Sequence, residues 1–104
     1  MILYLDASAL VKLYVEEPGS EAVAARLERA EAAVTVRVTY AEARAAFARH
    51  RREGGLTVPA LRRVVRQLDG EWGTYNVVDD LEFACFDDRL ARAASRERLP
   101  LAAR

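Results

Sequence analysis

The stretch Ile2-Leu3-Tyr4-Leu5-Asp6-Ala7-Ser8-Ala9-Leu10 decides the fold. Its first four residues are apolar, which is typical of a short parallel strand that is buried on both faces. Asp6 ends this apolar run, and Ser8, a residue type that caps helices, predicts a helix that continues to about Val15. A buried strand that passes directly into a helix predicts an α/β domain with an acidic residue at the end of its first strand.

Strands and helices continue to alternate along the rest of the chain. Turn residues such as Pro18-Gly19 and Gly54-Gly55 separate the helical patterns. The predicted helices cover residues 20–29, 57–72 and 88–98, and a further helix is expected from Val38 or Thr39 to Arg52. The predicted strands cover residues 34–36, 75–78 and 83–86. This alternation predicts one domain, residues 1–104, with a parallel sheet and helices on both faces.

The composition limits the class of protein. The chain of 104 residues is 52% hydrophobic and 31% charged, which is typical of a globular protein. Its 16 basic and 16 acidic side chains give zero net charge, which argues against nucleic-acid binding through overall charge. The single cysteine, Cys85, excludes an internal disulfide, so we expect a protein that is cytoplasmic or at least indifferent to oxidation. Asp6 interrupts the N-terminal apolar run, so we expect neither a secretory signal nor a membrane span.

Acidic residues follow three strands of the predicted sheet. Asp6 follows the first strand, Glu42 lies in the first turn of the helix after the second, and Asp87 with Asp88 follows the last. The carboxyl ends of parallel strands meet at one edge of a sheet, where open α/β sheets bind their ligands. Grouped carboxylates repel one another unless a cation lies between them, and Mg²⁺ or Mn²⁺ prefers such oxygen ligands. The pattern therefore favours a divalent metal site.

Each of these acids also has a purely structural explanation. Asp6 is equally well explained as a turn residue or a helix cap. Glu42 completes a capping box with Thr39, which would be the favoured explanation if Glu42 stood alone. Asp87 and Asp88 suit the first turn of a helix, where the helix dipole favours negative charge. The residues by themselves leave both explanations open.

Four other side chains are expected to have no role in chemistry. His50 lies within a run of arginines and is expected on a solvated helix face. Cys85 lies within an apolar strand and is expected in the core. Trp72 and Tyr75 are expected in the core or at a dimer contact.

Three segments together resemble one known family. MILYLDASALVKLYVEEPGSE, residues 1–21, resembles the opening of PIN-domain proteins, specifically the VapC-type toxins of toxin–antitoxin pairs. VTVRVTYAEARAAFARHRREG, residues 34–54, resembles their second block, and CFDDRLARAA, residues 85–94, resembles the block after their last core strand. The three blocks occur in the family's order and cover most of the chain.

The resemblance implies a PIN-like three-layer α/β fold and a Mg²⁺- or Mn²⁺-dependent endoribonuclease. It also implies an RNA substrate, a VapB-like antitoxin that inhibits the enzyme, and a homodimer. Matched position by position, the catalytic and metal-binding acids are Asp6, Glu42 and Asp87, and the supporting residues are Ser8 and Asp88. Basic residues that could contact RNA phosphates are Arg44, Arg49, Arg51 and Arg52.

The chain departs from the family between its third and last core strands. The family carries a further acid there on a helix, whereas this chain has only residues 79–82 between the two predicted strands. Four residues allow a hairpin and not a parallel crossover. The segment is either omitted from the sequence, deleted from the gene, or replaced by a hairpin turn at Asp79-Asp80, and we favour the first two explanations. The alternative function is a catalytically impaired PIN domain that binds an antitoxin or another partner.

Overall fold

The structure, a computed structural model, describes residues 1–79. The predicted strand 83–86 and the predicted helix 88–98 lie outside the described residues, as do Asp87 and Asp88. In chain order the elements are β1 (Ile2–Tyr4), α1 (Ala7–Lys12), α2 (Ser20–Arg29), β2 (Ala32–Val36), α3 (Val38–Arg52), α4 (Val58–Glu71), a 3₁₀ turn (Trp72–Thr74) and β3 (Asn76–Val78). None of the helices in this part of the chain is long and apolar enough to cross a membrane.

The three strands form a parallel sheet in the order β1-β2-β3. Tyr4 pairs with Val34, and Val36 pairs with Val78. Both crossovers step in the same direction along the sheet, so right-handed connections place their helices on one face. Contacts of α1 with both α2 and α3, and of α3 with α4, agree with this arrangement. The predicted α/β fold with a parallel sheet is confirmed, and the helices that the structure describes within residues 1–79 lie on one face of that sheet.

The core lies between the sheet and these helices. Leu3 and Tyr4 are successive residues of β1 and point to opposite faces of the sheet, yet both are buried, as expected of a buried parallel strand. Leu5, directly after the strand, is buried as well. Phe47 of α3 is fully buried, and its ring lies edge-on to that of Tyr14 with 6.1 Å between centroids. Burial of a large apolar side chain of this kind stabilises a fold by roughly 1.5–3 kcal/mol.

Of the two caps that the sequence offered for α1, the structure has Asp6, and the predicted end of the helix was wrong. Asp6, and not Ser8, is the N-cap, because its side chain accepts a hydrogen bond from the backbone N–H of Ala9. The helix also ends at Lys12, before the predicted Val15. Sequence alone did not separate the two caps, since aspartate and serine cap helices about equally well.

The predicted bounds of α2 are confirmed, as is the end of α3 at Arg52, and of the two predicted starts of α3 the structure has Val38. The predicted cap of α4 is confirmed as well, because Thr57 accepts a hydrogen bond from the backbone N–H of Ala60 at 3.2 Å. Pro59 lies in the first turn of this helix, where its missing N–H removes no helical hydrogen bond. The helices that flank the candidate site are therefore set by local sequence signals.

Candidate active site

Asp6 lies at the carboxyl end of β1, where the chain turns into α1. Its Oδ1 accepts hydrogen bonds from the Ala9 backbone N–H and from the Ser8 hydroxyl, both at 2.9 Å. The structural explanation of Asp6 as a helix cap is therefore correct. The cap also fixes the direction of the carboxylate, because the backbone of α1 holds one of its oxygens in place.

Glu42 lies more than one turn inside α3, and the predicted capping box does not form. The helix begins at Val38, and its N-cap, Arg37, makes no side-chain capping bond. Thr39 is inside the helix and only 1% exposed, so its hydroxyl is not in the position of a cap. The side chain of Glu42 is exposed and serves no capping role.

A cleft of about 450 Å³ lies between α1 and α3. One wall of the cleft is formed by α1 and the loop that follows it. The other wall is one face of α3, because residues three and four apart along a helix lie next to one another. The lining residues are Ala7, Ser8, Val11 and Glu17 on the first wall, and Glu42, Ala45, Ala46, Arg49 and His50 on the second. Ser8 and Glu42 thus line one cleft, and Asp6 adjoins it through its hydrogen bond to Ser8.

The donors at this place suit a hard divalent cation. Carboxylate and hydroxyl oxygens are the ligands that Mg²⁺ and Mn²⁺ prefer. Within residues 1–79, no three His, Cys, Asp or Glu side chains are grouped closely enough to hold a metal ion. The described chain therefore supplies two of the three predicted acids, Asp6 and Glu42, while Asp87 lies outside the described residues.

The four arginines that the sequence singled out have different surroundings. Arg49 lines the cleft. Arg44 is engaged elsewhere, since its Nη1 donates to the Tyr40 hydroxyl at 2.9 Å and its guanidinium lies 5.7 Å from the centre of the same ring. The Tyr40 hydroxyl in turn donates to Asp69 of α4. Arg51 and Arg52 are exposed at the end of α3 and are not among the residues that line the cleft.

The prediction that His50 lies on a solvated helix face was wrong. Its ring lines the cleft, and its Nε2 lies 3.2 Å from Oε2 of Glu17, with 29% of the side chain exposed. Sequence analysis also did not single out Glu17 or Lys12, which form an ion pair at 3.2 Å. Helical spacing from Glu42 could have placed His50 on the cleft face, because the two residues lie two turns apart.

Comparisons with known proteins agree with this fold. The sequence matches the family model of the PIN domain over residues 3–99. It is 36% identical over 78 residues to Ribonuclease VapC45 of Mycobacterium tuberculosis (strain CDC 1551 / Oshkosh), and equally to Ribonuclease VapC49 of strain ATCC 25618 / H37Rv. Each alignment covers 75% of this chain and 54% of the relative, so the chain spans about half the length of these proteins. The match over nearly all of the sequence, on a parallel α/β fold, means that the chain belongs to the PIN domain family.

Proposed function

We propose that this protein is a metal-dependent endoribonuclease and the toxin of a VapBC-like toxin–antitoxin pair. The observation that carries the proposal is the position of Ser8 and Glu42 on facing walls of one cleft, with Asp6 bonded to Ser8. The names of the two mycobacterial relatives support a ribonuclease. Asp6, Glu42 and Asp87 are the proposed catalytic and metal-binding residues, and Ser8 and Asp88 are the proposed supporting residues.

The proposed chemistry is hydrolysis of an RNA phosphodiester. Asp6 and Glu42, with Asp87, would hold Mg²⁺ or Mn²⁺, which supplies an activated water and offsets charge on the phosphate. Ser8 holds the Asp6 carboxylate in a defined direction through its hydrogen bond of 2.9 Å. Arg49 lies on the cleft wall and is the described arginine best placed to contact a phosphate. The small side chains of Ala45 and Ala46 leave room for the substrate.

The proposal also covers the protein's partners, its oligomeric state and its cellular location. We propose that the protein works in the cytoplasm as a homodimer of one-domain subunits that a VapB-like antitoxin inhibits. A second candidate function, a catalytically impaired PIN domain that binds a partner, is favoured by one observation. Residues 79–82 are too few to carry the family's further acid on a helix, so the site would contain fewer carboxylates than an active PIN domain.

Cleavage of RNA in a titration with Mn²⁺ distinguishes these functions. The wild-type protein is expected to cleave RNA only with added metal, and activity is expected to disappear with EDTA and in Asp6→Asn and Glu42→Gln. Glu16→Gln is the matched control, because it removes one exposed acid outside the cleft lining. Cleavage without metal, or full activity of Asp6→Asn, would rule out the proposed site. No cleavage at any metal concentration, together with tight antitoxin binding, would favour the binding module.

A further inference from the structure

Glu17, in the loop after α1, connects both walls of the cleft. Its Oε1 lies 3.2 Å from Nζ of Lys12 on α1, and its Oε2 lies 3.2 Å from Nε2 of His50 on α3. Each of the three side chains is less than one third exposed, so solvent screens these contacts only in part. One carboxylate therefore bonds to the two helices that carry the candidate acids.

The backbone that carries Glu17 is itself held in place. The N–H of Glu17 donates to Oγ of Ser20 at 3.0 Å, and the Ser20 hydroxyl donates to the carbonyl of Val15 at 3.2 Å. Gly19 has a φ of 96°, and a Cβ there would come within 3.0 Å of Cε of Lys12. Other residue types are therefore strained at position 19, and these contacts hold the backbone of the loop at Glu17 in place.

The bonded chain continues toward the first turn of α1. The ammonium group of Lys12 also donates to the backbone carbonyl of Ser8 at 3.3 Å. A continuous set of contacts thus runs from Ser8 through Lys12 and Glu17 to His50. Because α3 is a continuous helix, holding His50 against Glu17 also holds the backbone at Glu42, two turns away on the same helix.

We propose that Glu17 is a positioning residue of the active site, which sets the separation of Asp6 and Glu42 by pairing with Lys12 and His50. This inference rests on the proposed function. Partly exposed ion pairs contribute little to folding stability, so the effect falls on the geometry of the site. A displacement of about 1 Å in a catalytic arrangement can lower a rate by about 100-fold.

The test compares Glu17→Gln with Glu16→Gln, which removes the same charge from the neighbouring exposed position. The first measurement is the Mn²⁺ affinity of the RNA-free protein by electron paramagnetic resonance. The second is kcat and KM for RNA cleavage at saturating Mn²⁺. We expect Glu17→Gln to weaken Mn²⁺ binding by about tenfold and to lower kcat by about 10- to 100-fold, with KM for RNA unchanged. Glu16→Gln is expected to match the wild type in all three quantities.

A double-mutant cycle with His50→Gln tests the route of the effect. If Glu17 acts through His50, the double variant is no worse than the more severe single variant, whereas independent effects multiply. The chain has a single histidine, which provides a check on the metal site itself. Substoichiometric Mn²⁺ bound in the cleft is expected to broaden the NMR signals of its ring in the wild-type protein.

Three results would overturn the inference without affecting the proposed function. The first is a Glu17→Gln protein with wild-type Mn²⁺ affinity and kcat, and the second is a double variant whose losses multiply. If Glu17→Gln does not fold, His50→Gln is tested in its place, because that variant keeps the pair between Glu17 and Lys12. The third overturning result is a His50→Gln protein with wild-type Mn²⁺ affinity and kcat. A wild-type protein that neither binds Mn²⁺ nor cleaves RNA contradicts the proposed function, and the inference falls with it.

Discussion

Substitutions at Asp6 separate two roles of one carboxylate. The structure shows Asp6 as the N-cap of α1, with Oδ1 accepting bonds from the Ala9 N–H and the Ser8 hydroxyl at 2.9 Å. We propose that the same side chain binds the metal ion. Asparagine keeps an oxygen for the capping bond but loses the negative charge, whereas alanine loses both. Asp6→Asn and Asp6→Ala are therefore expected to differ in fold stability and, if Asp6 binds the metal as proposed, both to lack activity.

The expected magnitudes follow from these contacts. Asparagine and aspartate are nearly equal as N-caps, so Asp6→Asn is expected to change the free energy of unfolding by less than about 0.5 kcal/mol without metal. Asp6→Ala is expected to lower it by about 1 kcal/mol. For a domain of about 100 residues, this difference lowers Tm by roughly 4–8 °C. Mn²⁺ at 100 times its Kd is expected to add about 2.7 kcal/mol to the wild type and little to either variant.

Thermal unfolding followed by circular dichroism, in EDTA and in Mn²⁺, measures these differences alongside RNA cleavage. Equal Tm values for Asp6→Asn and Asp6→Ala in EDTA would refute the capping role. A shift in Tm with Mn²⁺ in Asp6→Asn as large as in the wild type, or equal cleavage, would refute the metal-binding role. Glu16→Gln serves again as the control for loss of one negative charge.

Two further predictions concern stability. Thr35 is fully buried, and its hydroxyl donates to the Leu5 carbonyl at 2.7 Å. Thr35→Val is therefore expected to lower the free energy of unfolding, measured by urea denaturation, by about 1–3 kcal/mol. Thr35→Ser keeps the hydroxyl and is expected to lower it less. Burial raises the pKa of the Tyr14 and Tyr75 phenols above the ordinary value of 10, and their hydroxyls lie 2.7 Å apart. As the pH rises, these phenols lose their protons in the unfolded chain before they lose them in the folded protein. The free energy of unfolding is therefore unaffected by them below about pH 10. Above that pH it falls by up to about 1.4 kcal/mol per pH unit for each phenol that stays protonated in the folded protein. Alkaline unfolding of Tyr14→Phe should show a shallower fall, and an unchanged slope would contradict this assignment.

The order of the elements could be predicted because their signals are local. The bounds of α2 and α3 follow from helical periodicity and from the residues that interrupt it, such as Pro18-Gly19 and Gly54-Gly55. The extent of α1 could not be predicted in this way. It depends on whether the chain leaves the sheet at Asp6 or at Ser8, and the two residues have similar preferences as caps.

The part of the candidate site that depends only on the order and direction of the strands could be predicted. Asp6 and Glu42 both follow neighbouring parallel strands, and neighbouring strands end at the same edge of the sheet. The capping box was wrong because α3 begins before Thr39, which puts that side chain inside the helix. The contact between Glu17 and His50 joins residues 33 positions apart, and no local pattern of charges or apolar residues reports such a pairing.

The two alanines on the cleft face of α3 have different neighbours. Ala46 is buried, so a larger side chain there would displace the core, whereas Ala45 is exposed and borders the open space of the cleft. A leucine at position 45 would occupy that space by bulk and leave every charged group in place. Such a variant would block the cleft without changing any charge, so loss of RNA cleavage in it would mean that the proposed substrate enters this cleft.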